Sequence, residues 1–502
     1  MNGARVLLVN PRIASPARAR FPLSLLEVAA AVEQRGHVAD LIDGNIATNA
    51  AAVITRKLAE QRYDAVGVSV MGGPQVRTAL EISRAVRNAQ PTLPIVWGGY
   101  FPSLYPDAAM NGSHADFLAR DVGEVALAEL LTALPRPNGA ALARLPNLSW
   151  RDGERIIHNT SRKTERAVRG ALLPYEKLGD PRRYLFRSFM GQRTAVHQAS
   201  LGCRFRCTFC GVAGMFRGVT LLPEAARLEH ELTHLRDAFG ADSLQFFDHN
   251  FFDREEDMVP LLEVLARLEM PWWCYARADA LVNLSKEAWS LVRKSRLRMA
   301  YIGAETPNDR LLRSIRKGTR SDQTLEVAEV CRRNGVIPEL SFMVAPPEDP
   351  AGETERTFDF IRQVKRVNPR AEIIVYVYTP LPPSSVPDAQ RLKLSPLCDL
   401  RGEPIQFPRS AEEWTEQRWV DYACHADAPW IDARLRRHIR DFVTVLRCRF
   451  PTVQDTRAPG WAKAGLTALS SWRYALRRYD RPWELVASQR LINLLDPRVS
   501  SI

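Results

Sequence analysis

The chain has 502 residues, of which 46% are hydrophobic and 25% are charged, which is typical of a water-soluble globular protein with two or three domains. No run of about 18 apolar residues is present, and the amino-terminal VLLV segment has the length of a buried strand, so we expect no signal peptide, no membrane span and a cytoplasmic location. The formal net charge of +12 is interpreted as an arginine-rich solvated face, with binding of an anionic substrate as the alternative. No zinc-finger, helix-turn-helix or RNA-binding pattern supports nucleic acid as a partner.

Residues 1–135 alternate buried-strand runs with helical patterns. This alternation predicts an α/β domain with an open parallel sheet of the Rossmann-like kind, in which ligands bind beyond the carboxyl ends of the strands. Those predicted strand ends carry the segments NPR, DGN, SVMGG and WGGYFPS. Glycines in them, Gly72, Gly73, Gly98 and Gly99, let the backbone approach a large ligand closely. The hydroxyl of Ser69 can hydrogen-bond such a ligand.

The rest of the chain divides into three predicted parts. Residues 136–190 are rich in Pro, Arg and polar residues and read as a connector with a hairpin turned at Asp152-Gly153. Residues 191–388 show about six further strand and helix units, which predict a partial (β/α)6 barrel of the TIM type. Residues 389–502 are mostly helical in pattern, and we expect substrate specificity to lie there. Their tryptophans are interpreted as packing residues: Trp414, Trp419, Trp430, Trp461, Trp472 and Trp483.

Three of the eight cysteines, Cys203, Cys207 and Cys210, stand within the segment GCRFRCTFC. Three thiolates can hold three corners of a [4Fe–4S] cube, which leaves one iron open to a small molecule. A zinc site is the alternative, but structural zinc normally takes paired C-x2-C ligands or added histidines, and no second pair follows. The other five cysteines are scattered singly and predict no disulfide framework.

The segment CRFRCTFC resembles the C-x3-C-x-aromatic-C loop of the radical S-adenosylmethionine (SAM) superfamily, with Phe209 at the aromatic position. The resemblance implies that the cysteines bind a [4Fe–4S] cluster whose open iron holds SAM. It also implies an external one-electron reductant of the flavodoxin or ferredoxin type, and cleavage of SAM to methionine and a 5′-deoxyadenosyl radical.

Further segments resemble the same superfamily behind the cysteines. They are FFDHNFF with Asp248, YARADAL with Arg277, IGAETPNDRLLRSIRKG with Glu305, and YTPLPPSS with Pro383 where the family has glycine. The resemblance implies contacts of Phe209, Asp248, Arg277 and Glu305 with SAM, and for Glu305 a contact with the ribose hydroxyls. For Asp248 and Glu305 an ordinary cap or ion pair is the alternative, in the case of Glu305 with Arg277 as a possible partner.

The front domain resembles the cobalamin-binding domain of the cobalamin-dependent class of these enzymes. The matching segments are VNPR, FPLSLLEVAAAVEQRGH, LIDGN, SVM, WGGYFPS and ADFLARDVGEVALAELL. The resemblance implies a cobalamin site formed by Asn10, Ser69, Met71, Gly72, Gly98, Gly99, Gly123 and Glu124. A Rossmann-like domain without a ligand is the alternative.

The D-x-H-x-x-G motif, whose histidine ligates cobalt in methionine-synthase-like domains, is absent. The segment DGNIAT follows the second strand instead, and His37 stands before that strand, as expected of a turn residue. We therefore expect the lower face of cobalt to lack a histidine ligand, and Met71 is a candidate to lie against that face.

Together the resemblances predict a cobalamin-dependent radical SAM enzyme. In most of this class the substrate loses a hydrogen atom to the deoxyadenosyl radical and takes a methyl group from methylcobalamin, so methylation of an unactivated carbon in a small organic substrate is the leading prediction. Cyclisation or ring rearrangement without net methylation is the alternative. A transfer-RNA methylthiotransferase is disfavoured because residues 1–202 contain no cysteine. A simple electron-transfer protein is disfavoured because the loop leaves one iron open.

Overall fold

The computed structural model describes residues 3–134, 138–161, 172–382, 397–456 and 458–495. The front part folds into one sheet covered by helices on both faces. Its strands are β1 (Arg5–Asn10), β2 (Val38–Asp43), β3 (Ala65–Ser69), β4 (Ile95–Gly98), β5 (Phe117–Ala119), β6 (Leu148–Asp152) and β7 (Arg155–His158). Its helices are α1 (Leu23–Gln34), α2 (Ala50–Glu60), α3 (Pro74–Ala89), α4 (Tyr100–Leu104), α5 (Pro106–Met110), α6 (Gly123–Ala133) and α7 (Gly139–Leu142).

The strands of this sheet pair in the order β2-β1-β3-β4-β5-β6-β7. The first five are parallel, which confirms the predicted open parallel sheet, and the last two are antiparallel. The order reverses between β1 and β3, and such a switch point is where doubly wound sheets bind ligands. The hairpin at Asp152-Gly153 forms, but it pairs with β5, so the front sheet continues to His158, past the predicted boundary at residue 135.

The second part contains a six-stranded sheet. The strands after the connector are β8 (Thr194–His197), β9 (Leu201–Gly202), β10 (Thr220–Leu221), β11 (Ser243–Phe246), β12 (Trp272–Ala276), β13 (Leu297–Glu305), β14 (Ile337–Val344) and β15 (Glu372–Val377). The helices are α8 (Gly211–Phe216), α9 (Ala225–Asp237), α10 (Glu255–Leu268), α11 (Ala278–Val282), α12 (Lys286–Lys294), α13 (Asp309–Ser314), α14 (Ser321–Asn334) and α15 (Pro350–Val367). β8 and β11 to β15 pair in sequence order, all parallel, which confirms the partial (β/α)6 barrel.

The carboxy-terminal part is mainly helical, as predicted. Its helices are α16 (Gln417–Ala423), α17 (Ala433–Arg449), α18 (Gly460–Ala475) and α19 (Trp483–Leu495). Short 3-10 helices along the whole described chain are Pro16–Arg18, Tyr175–Leu178, Pro181–Tyr184 and Glu413–Thr415. Within the described ranges, no helix is both long and apolar enough to span a membrane. Pro383 and the predicted boundary between residues 388 and 389 lie outside the described residues.

The tryptophans of this part fall into two groups. The three nearer the barrel, Trp414, Trp419 and Trp430, are buried against the front domain, which agrees with a packing role. The other three are exposed, and the packing interpretation is wrong for them: Trp461 is 66%, Trp472 is 48% and Trp483 is 74% exposed.

Candidate functional site

The cysteine loop lies between β9 and α8, directly after the first barrel strand. Cys207 is buried, and Cys203 and Cys210 are partly exposed. The loop is fixed through its backbone, because the N–H of Thr208 donates to the carbonyl of Ile315 at 2.9 Å and the N–H of Cys210 donates to the carbonyl of Cys207 at 3.2 Å. Burial is the main cause that raises the pKa of the Cys203 thiol, and it raises the pKa of Cys210 to about 11. One short turn therefore presents three thiols that a bound cation would convert to thiolates.

The segment after β11 fixes the backbone that leads into the cysteine loop. Asp248 is fully buried, and its carboxylate accepts hydrogen bonds from the backbone N–H groups of Ala199 at 3.0 Å and Ser200 at 2.5 Å. His249 accepts a hydrogen bond from the N–H of Gly202 through Nδ1 at 3.1 Å. For Asp248, these contacts favour the alternative of a structural cap over a contact with SAM.

Glu305 ends β13 at a bulge in its pairing with β14. It is 3% exposed, and its φ of 62° lies in the left-handed region that residues other than glycine rarely adopt. Lys317 Nζ donates to Oε1 at 2.5 Å, and the hydroxyl of Tyr376 donates to Oε2 at 2.6 Å. The ion pair that the sequence left as an alternative is thus present, but its partner is Lys317 and not Arg277.

Arg277 lies between the cysteine loop and α11. Its guanidinium binds the carboxylate of Asp279 at 3.0 and 3.1 Å and donates to the carbonyl of Lys317 at 2.6 Å. It also lies 3.6 Å above the ring centre of Phe205, and Nη1 is 3.9 Å from the sulfur of Cys207. A buried cation therefore stands directly beside the predicted cluster ligands.

Phe209 connects the cysteine loop to the Glu305 group. Its partly buried ring packs against the cluster of Leu312, Ile315, Met343 and Tyr378. Lys317 Nζ lies 5.9 Å from the centre of this ring. Phe209, Lys317, Glu305 and Tyr376 therefore form one continuous group at the barrel mouth. Lys317 and Tyr376 were missed from the sequence. Lys317 stands in the segment quoted for Glu305 but was not singled out there, and Tyr376 stands two residues before the segment YTPLPPSS.

In the front domain, Gln75 ties together the loops on either side of the switch point. Its side chain is 1% exposed. Oε1 accepts from the N–H of Met71 at 2.7 Å, and Nε2 donates to Oδ1 of Asn10 at 3.0 Å and to the carbonyl of Pro11 at 2.7 Å. The Met71 side chain itself is 56% exposed, so an apolar group stands open at the strand ends. Gln75 was also missed from the sequence, because a buried amide has no sequence signature.

The other residues predicted for cobalamin lie along the same edge of the sheet. They are the last residues of β3 and β4, the loop after β3 and the first turn of α6, namely Ser69, Gly98, Gly72, Gly123 and Glu124. Gly99 has a φ of 98°, and a Cβ there would lie 3.0 Å from the carbonyl oxygen of Val70. His37 lies before β2, at the opposite end of that strand, where Nδ1 accepts from the N–H of Ala4 at 3.2 Å. It therefore lies away from this edge.

The front sheet and the cysteine loop meet at Tyr100. This residue begins α4, directly after the strand-end glycines, and its hydroxyl lies so close to Gly211 that any side chain on Gly211 would collide with it. Burial raises the pKa of Tyr100, and the neighbouring Cys210 thiol is a smaller cause in the same direction. The carboxyl edge of the front sheet therefore adjoins the cysteine loop.

Two family models match the chain at these two places. The B12 binding domain matches residues 12–131, and the Radical SAM superfamily matches residues 198–361. A similar protein is an uncharacterized methyltransferase of Pyrococcus horikoshii, 22% identical over 346 residues, which are 68% of this chain and 73% of that protein. Another is an anaerobic magnesium-protoporphyrin IX monomethyl ester cyclase of Synechocystis, 23% identical over 372 residues, which are 72% of each chain.

Among solved structures, the fold is similar to that of the radical SAM methyltransferase TsrM from Kitasatospora setae, determined with cobalamin and a [4Fe-4S] cluster bound. The TM-score is 0.62 at 18% identity, and the match covers 83% of this chain and 85% of that one. The fold and the two family matches define a radical SAM enzyme with a B12-binding domain. The chain belongs to the cobalamin-dependent radical SAM family, whose cofactors are the three predicted from the sequence: cobalamin, a [4Fe–4S] cluster and SAM.

Proposed function

We propose that the protein is a C-methyltransferase that acts on an unactivated carbon of a small organic substrate. The observation that carries this proposal is the contact of Tyr100 with Gly211, which joins the carboxyl edge of the front sheet to the cysteine loop. A substrate between these elements would be within reach of both cofactors, and such positioning is what the protein contributes when cofactors supply the chemistry. Two of the similar proteins are named as methyltransferases, which supports the same reading.

In this proposal Cys203, Cys207 and Cys210 bind the [4Fe–4S] cluster. The donor set fits such a cluster, because one short turn carries all three thiols. The Arg277 cation beside Cys207 would also offset the negative charge of the thiolates. A zinc site would add further cysteine or histidine ligands to this turn, and the sequence shows no second cysteine pair behind it. When bound and reduced by an external one-electron donor, the cluster and SAM supply a 5′-deoxyadenosyl radical.

We further propose that SAM lies over the group formed by Phe209, Lys317, Glu305 and Tyr376. Phe209 offers a partly exposed ring at the barrel mouth, and Glu305 offers carboxylate oxygens to the ribose hydroxyls. Lys317 neutralises this buried carboxylate, since a buried charge without a partner is strongly unfavourable. Arg277 lies beside Cys207 in the cysteine loop, and Asp248 fixes the backbone of Ala199 and Ser200 just before that loop.

In the same proposal the strand-end crevice of the front sheet would hold cobalamin, which when bound would supply the methyl group. The crevice has room for a ligand at Gly72, whose φ of 117° favours glycine and where a Cβ would come no closer than 4.0 Å to Phe101 Cδ2. Ser69 offers a hydroxyl at the end of β3, and the Met71 side chain two residues later is exposed. The amide of Asn10, at the end of β1, is held by Asp43 and Gln75 and borders the crevice. The sequence places no histidine in the segments 10–22, 43–50, 69–74, 98–107 and 119–124 that follow the strands.

Cyclisation without methyl transfer is the second candidate function. It is favoured by the similarity to the magnesium-protoporphyrin IX monomethyl ester cyclase, which covers 72% of this chain against 68% for the methyltransferase of Pyrococcus horikoshii. Both reactions use the same two domains, so the difference lies in how the substrate is held.

Product mass distinguishes the two functions. The reconstituted full chain is incubated anaerobically with SAM labelled in its methyl group and a one-electron reductant. The candidate substrates are small molecules made by enzymes that are encoded near its gene. We expect a product heavier than its substrate by one labelled CH2 unit, and no product from the Cys210→Ala variant. A product that lacks the label and has lost hydrogen would support the cyclase instead.

A further inference from the structure

Helix α18 carries an apolar face toward solvent. Every exposed residue of this fully described helix is apolar or glycine, namely Gly460, Trp461, Ala464, Gly465, Ala468, Leu469, Trp472 and Ala475. Their spacing of three and four residues puts them on one side of the helix, while the opposite side, with Ala462, Ser470 and Arg473, is buried. An exposed apolar stripe of this length normally marks a surface that contacts a partner.

Helix α19 continues this surface. Arg473 lies 4.9 Å from the ring centre of Trp472 and binds the carboxylate of Glu484, with Nη2 at 2.9 Å from Oε2. This ion pair brings the first turn of α19 next to Trp472, and the exposed Trp483 immediately precedes Glu484. Ala487 and Leu491 follow Trp483 at intervals of four residues and are exposed as well. We call α18 and the Trp483 face of α19 the tryptophan surface.

The rim of the tryptophan surface is positively charged. Residues 460–495 contain six basic residues and two acidic ones. Both acids have basic partners, because Glu484 binds Arg473 and Asp480 lies 3.3 Å from His438. Arg478, Arg481 and Arg490 are exposed and form no ion pair within the described part of the chain.

We propose that the tryptophan surface docks the enzyme onto an anionic membrane surface. Helices that lie in the plane of a membrane interface present tryptophan and leucine to the acyl boundary and basic side chains to the headgroups, which is the pattern found here. A second copy of the chain fits less well, since a two-fold contact uses the same patch twice and would bring two arginine rims of like charge together. Anionic headgroups neutralise the rim instead. This inference does not depend on which reaction the enzyme catalyses.

Vesicle flotation of the full chain tests the proposal. We expect the protein to float with vesicles of phosphatidylglycerol and phosphatidylcholine, more weakly with phosphatidylcholine alone, and less at high salt because screening weakens the attraction of the rim. Replacing Trp461 and Trp472 together by glutamine should lower partitioning by about tenfold or more, because two large apolar groups no longer enter the interface. Arg478→Glu with Arg490→Glu should weaken binding to the anionic vesicles only.

The matched control is Leu400→Gln, which removes an apolar side chain that is 61% exposed outside this surface. It should float like the parent chain. All these positions are exposed, so far-ultraviolet circular dichroism and melting curves should remain unchanged. Equal flotation of the double tryptophan variant would overturn the proposal. Failure of the parent chain to float would overturn it as well. This holds if sedimentation shows a monomer, and also if it shows a dimer that the two tryptophan substitutions dissociate.

Discussion

Replacing Cys203, Cys207 and Cys210 together by alanine is expected to remove the iron and the brown colour of the reconstituted protein and to abolish cleavage of SAM. All three thiols stand on the one turn that joins β9 to α8, and no other cysteine belongs to that turn. Without thiolates the cluster has no protein ligands, and without the cluster no electron reaches SAM. Iron analysis, the visible absorption spectrum and chromatography of 5′-deoxyadenosine measure the three losses.

The control for this prediction is Cys424→Ala. Cys424 is exposed and belongs to the carboxy-terminal part of the chain, so its loss should leave iron content and SAM cleavage unchanged. Retention of about four iron atoms by the triple variant would sink the assignment of the cysteine loop.

Glu305→Gln is expected to weaken SAM binding by about tenfold or more while leaving the cluster in place. The variant keeps the size of the side chain and loses the charge that strengthens hydrogen bonds from the ribose hydroxyls. Charge-assisted bonds of this kind contribute roughly 1.5–3 kcal/mol each, and about 1.4 kcal/mol is a factor of ten in affinity. Calorimetric titration of the folded variant with SAM, together with its iron content, gives the measurement.

The ion pair with Lys317 makes a purely structural role for Glu305 a serious rival, and Tyr376→Phe helps to separate the two. That variant removes one hydrogen bond to the same carboxylate at Oε2 and keeps its charge. A ribose role predicts a much larger loss of affinity for Glu305→Gln than for Tyr376→Phe. A structural role predicts lower melting temperatures for both variants and the same SAM affinity in the folded fraction. Unchanged affinity of Glu305→Gln with normal iron content would defeat the ribose assignment.

Local sequence patterns predicted most of the fold. Buried apolar runs of strand length found β1 to β5 and the six barrel strands, because a parallel strand covered on both faces is apolar along its whole length. The cysteine spacing also predicted the loop after β8, because all three cysteines belong to one short segment of the chain. The hairpin at Asp152-Gly153 was found from its turn residues, but its pairing with β5 was not, because register with a distant strand has no local signal.

The partners of individual side chains could not be predicted in this way. Glu305 was singled out from its segment, yet its ion pair with Lys317 depends on the turn after α13 folding back over the end of β13. Gln75 binds Asn10 and Pro11, which lie 65 and 64 positions earlier in the chain, and only the completed sheet brings these residues together. Helix α18 has apolar residues on its exposed side as well as its packed side, so its tryptophans looked like core residues until the packing was known.

We expect cobalamin to bind in the strand-end crevice of the front domain without a histidine ligand. Electron paramagnetic resonance of the Co(II) state, recorded on the full chain loaded with cobalamin, tests it most directly. The full chain is the right sample, because the front sheet continues to β7 and buries the tryptophans Trp414, Trp419 and Trp430 of the carboxy-terminal part. The predicted result is stable binding and a base-off spectrum without strong nitrogen superhyperfine splitting, since no histidine stands in the segments directly after the five parallel strands of this sheet. Strong nitrogen splitting, or no binding of cobalamin at all, would contradict the site.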